Sequence, residues 1–358
     1  MIINQSNCCY RTQFTNTIIA NVEFWFEGVL IVLVGMFGLL GNATSIAVLS
    51  RKEMKNVFNR LLIFLSIIDS ILILFAIVNY SIIKAFGVKL QLYNYAFPYF
   101  VNPVSNMVLC VSVFTVIAIA FERFMAVCFP IKYRSISCTE SVNLRVAKHM
   151  TPVIVISVLI NLPKFFETRL AEVSTGIDNK TEIDFEITEL RANENYIYFY
   201  IHWGRLFGTG VIPMIVLLFL NMNIYFKIRS TKRAKASRRQ GDSMALHSLD
   251  SGKVVSKSAT IIVPTKRDMK MALVLSLIVI LFIVCHLPRL ILNLHEFMML
   301  SDIQECGDYF CPPVWFMIML PINHFALVVN SSINILIYCS VGDNFMEISR
   351  TLTLFGCK

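Results

Sequence analysis

The stretch GVLIVLVGMFGLLGNATSIAVLS, Gly28–Ser50, holds 23 residues and not one charge. Roughly 20 consecutive apolar residues wound as a helix cross the hydrocarbon core of a bilayer. Only helices and closed barrels satisfy every backbone polar group there. Outward from this stretch the same signature recurs along the chain. Tyr99–Phe121 is another uncharged run of 23 residues, and Leu61–Ile83 carries only Asp69. Leu206–Phe226, Met271–Pro288 and Cys311–Gly342 are also free of charge. Met150–Pro163 is shorter, with 14 uncharged residues, and extends back to Val146 and forward to Phe166. The pattern predicts an all-α membrane protein, a bundle of seven transmembrane helices at about 28–50, 61–83, 99–121, 146–166, 197–226, 269–297 and 313–339. Composition agrees: 56% of the 358 residues are hydrophobic and 15% charged, against about 45–50% and about 25% in a soluble globule.

Charge sets the orientation. Short cytoplasmic loops carry an excess of Lys and Arg. With the N-terminus outside, 23 of the 32 Lys and Arg fall on the inner side, twelve of them in Lys227–Lys270. The outer segment Glu167–Asn195 has eight acids against three bases, and Met298–Pro312 has three acids and no base. Removing the fourth span would break the alternation. The expected organisation is an extracellular tail at 1–27, a membrane domain at 28–342 with its third inner loop at about 230–265, and a cytoplasmic tail at 343–358. Met1–Ala20 lacks a charged segment followed by an apolar one, so the first span is expected to act as its own anchor. The sequons at Asn4 and Asn179 fall on the predicted outer side and are candidate glycosylation sites. Cys306 and Cys311 face the oxidising exterior and are candidates for a disulfide in the third outer loop. The net charge of +9 follows from the inner-loop bias and suits anionic lipid headgroups. Nucleic acid is not an expected partner.

Ionisable residues inside a membrane are costly, so they face the bundle interior and usually have a role. Asp69 stands near the middle of span two. Asn42 of span one, Ser112 of span three, and Asn330, Ser331 and Asn334 of span seven are the polar residues that could join it. Oxygen ligands around one carboxylate suit a small hard cation such as sodium; the alternative is a hydrogen-bonded network that ties helices together. At the inner end of span three stand Glu122 and Arg123, and Asp268 lies at the inner end of span six. An Arg123–Asp268 pair would tie the two spans together, and the alternative is that each charge snorkels separately to the interface. Arg205, His286, Arg289, Asn293, Glu296, Asn323 and His324 lie near the outer ends of spans five, six and seven. Two arginines and two histidines there argue for a water-filled cavity rather than a lipid-facing surface.

Together these positions resemble the rhodopsin-like (class A) G-protein-coupled receptors. The resemblance is carried by Gly41-Asn42, Leu65 with Asp69, Glu122-Arg123-Phe124 followed by Pro130, Pro213, the set Phe282, Cys285 and Pro288, and Asn334-Ile335-Leu336-Ile337-Tyr338. Asn161–Glu167, Cys285–Arg289 and Asn330–Asn334 further resemble invertebrate FMRFamide-type neuropeptide receptors. The resemblance implies a multi-pass plasma-membrane receptor and no enzyme, with an extracellular peptide ligand and a heterotrimeric G protein as partners. It implies no cofactor beyond an allosteric sodium ion. It gives Glu122, Arg123, Asp268, Asn334 and Tyr338 roles in the activation switch, and predicts a short amphipathic helix after span seven. Glu167 and Glu296 would pair with a ligand arginine, and Asn293, Arg289 and His324 would meet a C-terminal amide. Arg205 and Arg289 equally suit an anionic ligand. This sequence departs from the family at Pro98, which stands near the position of a cysteine atop span three, and the second outer loop contains no cysteine. His286 replaces a tryptophan in span six, and Ile335 a proline in span seven. A transporter or channel is the rival reading, but the polar clusters are separated by apolar stretches.

Overall fold

The computed structural model describes residues 12–175, 180–247, 266–299, 306 and 310–341. Among these residues, seven helices are long and apolar enough to cross a membrane: Gln13–Leu49, Val57–Ala85, Gln91–Cys128, Val142–Phe166, Tyr196–Thr231, Leu273–Met298 and Val314–Cys339. They are called spans one to seven, with outer and inner as the charge pattern predicts. Helix extends beyond the apolar runs at both ends. Span one begins at Gln13, where Thr12 accepts a hydrogen bond from the Thr15 amide at 3.3 Å as N-cap. Asn56 caps span two through the Asn59 amide at 2.9 Å, and Ser141 caps span four through the Leu144 amide at 3.3 Å. The helix of span five, Ile212–His247, runs well into the segment expected to be loop, because Thr231–Gln240 is rich in Lys, Arg and Ala, all good helix formers. The amphipathic stretch expected after span seven lies outside the described residues.

Span three is the centre of the bundle and packs against spans two, four, five and six. The core is densest in the inner half, where Phe58, Leu61, Leu65, Val113, Ile119, Leu217, Leu275 and Phe282 are buried together with Tyr338. The outward faces are apolar too. Leu33, Leu40, Leu159, Phe219 and Val284 are each about 60% exposed, a distribution that suits lipid and would be an aggregation liability in water. Span one approaches span seven closely through its glycines. A Cβ on Gly38 would stand 2.6 Å from the Ser332 Cβ, and one on Gly41 would stand 2.7 Å from the Ile335 Cγ2. Small residues at such contacts let membrane helices pack without a hydrophobic driving force.

The outer ends of spans one, two, three and five contain wide π-helical turns, at Phe24–Leu30, Ile77–Ala85, Phe97–Val101 and Tyr196–Val211. Such turns are rare and concentrate at functional sites. The second outer loop folds as an antiparallel hairpin, Thr168–Thr175 with Lys180–Ile187, in register from Thr168↔Ile187 to Thr175↔Lys180. On the inner side, Pro130–Thr139 forms a short helix after span three, with Pro130 at a position where its missing N–H costs nothing.

Candidate functional site

Three polar layers lie one below another inside the bundle. In the outer layer, Glu27 of span one is fully buried. Lys84 of span two comes within 2.8 Å of its Oε2, and His324 Nδ1 of span seven lies 2.6 Å from its Oε1. The His324 ring stacks on Tyr80 with centroids 3.8 Å apart. Tyr80 and His324, with Asn79, Ser105 and Asn106, line a cavity of about 80 Å³ between spans two, three and seven.

Spans five and six carry the other polar residues of this layer. Arg205 of span five and Arg289 of span six are both half-buried. Arg289 Nη1, His286 Nε2 and Asn323 Oδ1 are buried atoms with no hydrogen-bond partner. His286 Nδ1 lies 3.0 Å from the Phe282 carbonyl, which only accepts, so Nδ1 carries the proton and Nε2 is a bare acceptor. Asn293 is buried. Glu296 is half-buried.

Glu167 has a different setting from the other candidate ligand contacts. It is 3% exposed, takes Lys164 Nζ on both oxygens at 3.0 and 2.9 Å, and accepts from the Tyr196 hydroxyl at 2.9 Å. Its charge is already neutralised by its own chain. It fastens the root of the hairpin to the outer end of span five.

In the middle layer, Asp69 is 1% exposed. Its Oδ1 accepts from Ser112 Oγ at 2.9 Å and Ser331 Oγ at 3.2 Å, and its Oδ2 from Asn334 Nδ2 at 2.9 Å. Asn330 makes no hydrogen bond to the carboxylate. Asn42 donates to the Ser331 carbonyl at 3.1 Å, which joins span one to the group. Two further oxygens, Asn42 Oδ1 and Ser66 Oγ, are buried without a partner. A buried carboxylate with the Ser112 and Ser331 hydroxyl oxygens beside it is an oxygen set of the kind that a hard cation takes.

In the inner layer, the adjacent Glu122 and Arg123 are both buried, at 2% and 3% exposure. Glu122 turns toward span four and the inner helix. It pairs with Arg145 Nη2 at 3.0 Å and His149 Nε2 at 3.0 Å, and accepts from the Tyr133 hydroxyl at 2.7 Å. Burial first, and the Glu122 carboxylate second, push the Tyr133 phenol above its ordinary range, so it stays a donor. Arg123 lies over the Phe58 ring, 4.0 Å from its centroid. Tyr338 is buried in the core beside the same layer. The Asp268 side chain lies outside the described residues, as do Asn4 and Asn179. Cys306 and Cys311 are both disulfide-bonded.

A buried carboxylate joining spans two, three and seven, above a buried acid–arginine pair on span three, is the arrangement that the motifs led us to expect. Residues 41–338 match the family model described as 7 transmembrane receptor (rhodopsin family). The chain belongs to the rhodopsin family of seven-transmembrane receptors. It is therefore a multi-pass membrane receptor and not an enzyme. The receptor is 30% identical over 333 residues to a Drosophila melanogaster protein named FMRFamide receptor, an alignment covering 91% of this chain and 53% of the fly protein. The chain thus spans about half the length of that relative. It is 23% identical over 360 residues to a Caenorhabditis elegans protein named probable G-protein coupled receptor frpr-1, covering 96% of this chain and 83% of the worm protein.

Several residues of the receptor's polar layers escape a reading of its sequence. Glu27 and Lys84 border apolar runs and look like interfacial charges, yet they meet inside. Arg145 and His149 read as inner-loop basic residues, although their spacing of four places both on one helix face toward Glu122. The hairpin was legible in part: Ile183, Phe185 and Ile187 alternate with acids, a two-residue period.

Proposed function

We propose that this receptor binds an extracellular FMRFamide-like neuropeptide in its outer layer and signals to a heterotrimeric G protein. The alignment to the fly FMRFamide receptor over nearly the whole chain is the observation that carries this reading. The outer layer supports it chemically. Unpartnered buried polar atoms on spans six and seven are costly while empty and are relieved by a ligand's amides. Glu296 forms no ion pair among the described residues and is the acid available to a ligand arginine. Glu167 is held by Lys164 and Tyr196 and acts by shaping the site. Asn293, Arg289 and His324 remain the candidates for the C-terminal amide.

Agonist contacts would favour a state in which the inner end of span six moves outward and frees Arg123 for the G protein. Asn334 and Tyr338 would couple that motion to Asp69, and Asp268 is the proposed inner partner of Arg123. Asp69, Ser112 and Ser331 would hold a sodium ion, with Asn330 and Asn334 beside it; a bound ion supplies the positive charge that the buried carboxylate lacks. Cys306 and Cys311 are proposed to pair with each other, and Asn4 and Asn179 to carry glycans.

The test is expression in cells with calcium and cyclic-AMP readouts against a panel of amidated peptides, including those ending in Arg-Phe-amide. A saturable response is expected, with the Glu296→Ala variant needing roughly tenfold more peptide, a loss of about 1.4 kcal/mol. Silence across the panel from a receptor shown to be at the surface would sink the peptide reading.

A further inference from the structure

The cavity of about 80 Å³ between spans two, three and seven has a mixed lining. Leu72, Phe75, Ala76, Leu109 and Leu327 are apolar, and Asn79, Tyr80, Ser105, Asn106 and His324 are polar. No carboxylate and no Lys or Arg lines it among the described residues. The hydrogen bonds that the polar side chains already make decide what they have left to offer. The Asn102 carbonyl, which only accepts, takes Ser105 Oγ at 3.0 Å and Asn106 Nδ2 at 2.8 Å. Asn106 Nδ2 also donates to Asn102 Oδ1 at 3.2 Å. Ser105 and Asn106 therefore present oxygens with lone pairs to spare. Asn79 is turned the other way. Its Oδ1 accepts from the Tyr93 hydroxyl at 3.2 Å, which leaves Nδ2 as its donor. His324 is fixed through Nδ1 by Glu27 and through its ring face by Tyr80, so it closes the span-seven side.

Volume limits the occupant. At about 80 Å³ the cavity has room for about two or three water molecules of roughly 30 Å³ each, whereas benzene occupies a cavity of about 150 Å³. A phenyl ring is too large, and a group of three heavy atoms fits.

We propose that this cavity is the subsite for a terminal primary carboxamide of the ligand. Its two N–H donors meet Asn106 Oδ1 and Ser105 Oγ, and its oxygen accepts from Asn79 Nδ2. A carboxylate has no hydrogen to give those oxygens, and leaving them unpaired in a closed site is costly. An N-methylamide has one donor fewer and one methyl group more than the space takes. The inference rests on reading the outer layer as the peptide site, and it relocates the amidated end. Of Asn293, Arg289 and His324, only His324 lines the cavity, and the recognition passes to Asn79, Ser105 and Asn106.

Two measurements test it. The first needs no agonist: the melting temperature of the purified full-length receptor is followed against N-acetyl-phenylalaninamide, its N-methylamide and its free acid. The primary amide is expected to raise the melting temperature of the wild type in a saturable way, with the other two needing at least roughly tenfold more. Asn106→Leu should lose the effect. Ser105→Ala, a milder change that removes one oxygen, should need several-fold more primary amide and narrow its advantage over the N-methylamide. Equal shifts from the three probes, no shift from any, or selectivity unchanged in both variants would overturn the proposal.

The second measurement compares, on cells, an active amidated peptide with the same peptide ending in an N-methylamide or a free acid. The primary amide should be at least roughly tenfold more potent on wild type, with that advantage reduced in Ser105→Ala. A response indifferent to the terminal group would keep the peptide reading and overturn the subsite. A saturable, amide-selective melting shift in a receptor silent to every peptide would keep the subsite and remove the peptide reading instead.

Discussion

Glu122 and Arg123 are neighbours in the chain, yet they face different parts of the molecule. Glu122 gathers Arg145, His149 and Tyr133, while Arg123 lies against Phe58. The carboxylate therefore anchors span four and the inner helix to span three. Removing its charge leaves Arg145, itself buried, without a counter-ion. We expect Glu122→Gln to destabilise the receptor by about 3 kcal/mol, read as a lowered melting temperature of the purified protein. Arg145→Met, which removes the partner charge and keeps its bulk, should partly restore the double variant; equal destabilisation of single and double variants would contradict the assignment. The triplet itself was legible in the sequence, because acid, arginine and aromatic stand in order at the end of an apolar run. Its partners were not legible. Which residues meet a side chain from another helix depends on helix rotation, and apolar periodicity fixes that poorly in a bundle whose outward faces are as apolar as its core.

Asp69 is the counter-case. Three of its five candidate companions, Ser112, Ser331 and Asn334, do bond to it, because few polar residues sit at that depth and a buried carboxylate must recruit what is there; Asn42 instead donates to the Ser331 carbonyl. Asn330 was a candidate on depth alone and does not reach. If the carboxylate holds sodium, agonist affinity will fall as sodium replaces a larger cation in the buffer, and Asp69→Asn will abolish that dependence. A wild type insensitive to the exchange would contradict the sodium site.

At the level of elements, the outer lid lacks the cysteine pair that most relatives by motif would lead one to expect, and the structure holds the lid by other means. The Phe97 ring at the outer end of span three stacks on Phe185 of the hairpin, with centroids 4.5 Å apart. The Thr188 amide donates to the Glu167 carbonyl at 3.0 Å, and Glu167 in turn ties Lys164 to Tyr196. The hairpin is thus pinned by an aromatic pair two residues from its root and at the root itself by a buried ion pair. An aromatic pair contributes about 0.5–1.5 kcal/mol beyond its buried area. Phe185→Ala should accordingly speed peptide dissociation by roughly three- to tenfold, measured by washout of a labelled peptide, with surface expression little changed. An unchanged dissociation rate would mean that the lid does not cover the bound ligand. Seven apolar runs made the spans themselves readable. Their ends were less so, since polar helix such as Gln13–Glu23 leaves no hydropathy signal.

Across the whole molecule, the three polar layers form a column joined by span three and closed by span seven. The outer layer carries the unpartnered buried atoms of Arg289, His286 and Asn323, the middle layer holds one buried carboxylate, and the inner layer ties spans three and four. Between them lie apolar residues such as Leu72, Val116 and Phe282, all buried. This suits a protein that transmits conformation better than one that conducts a solute. Binding at one end must then be energetically linked to binding at the other, and the linkage is reciprocal. The most direct test is saturation binding of a labelled Arg-Phe-amide peptide to membranes containing the receptor, with and without nucleotide-free heterotrimeric G protein. The account predicts saturable binding that tightens about 5- to 150-fold when the G protein is present, with the tightening lost in Arg123→Ala. No saturable binding to a receptor confirmed at the surface, or an affinity unmoved by any G protein, would contradict it.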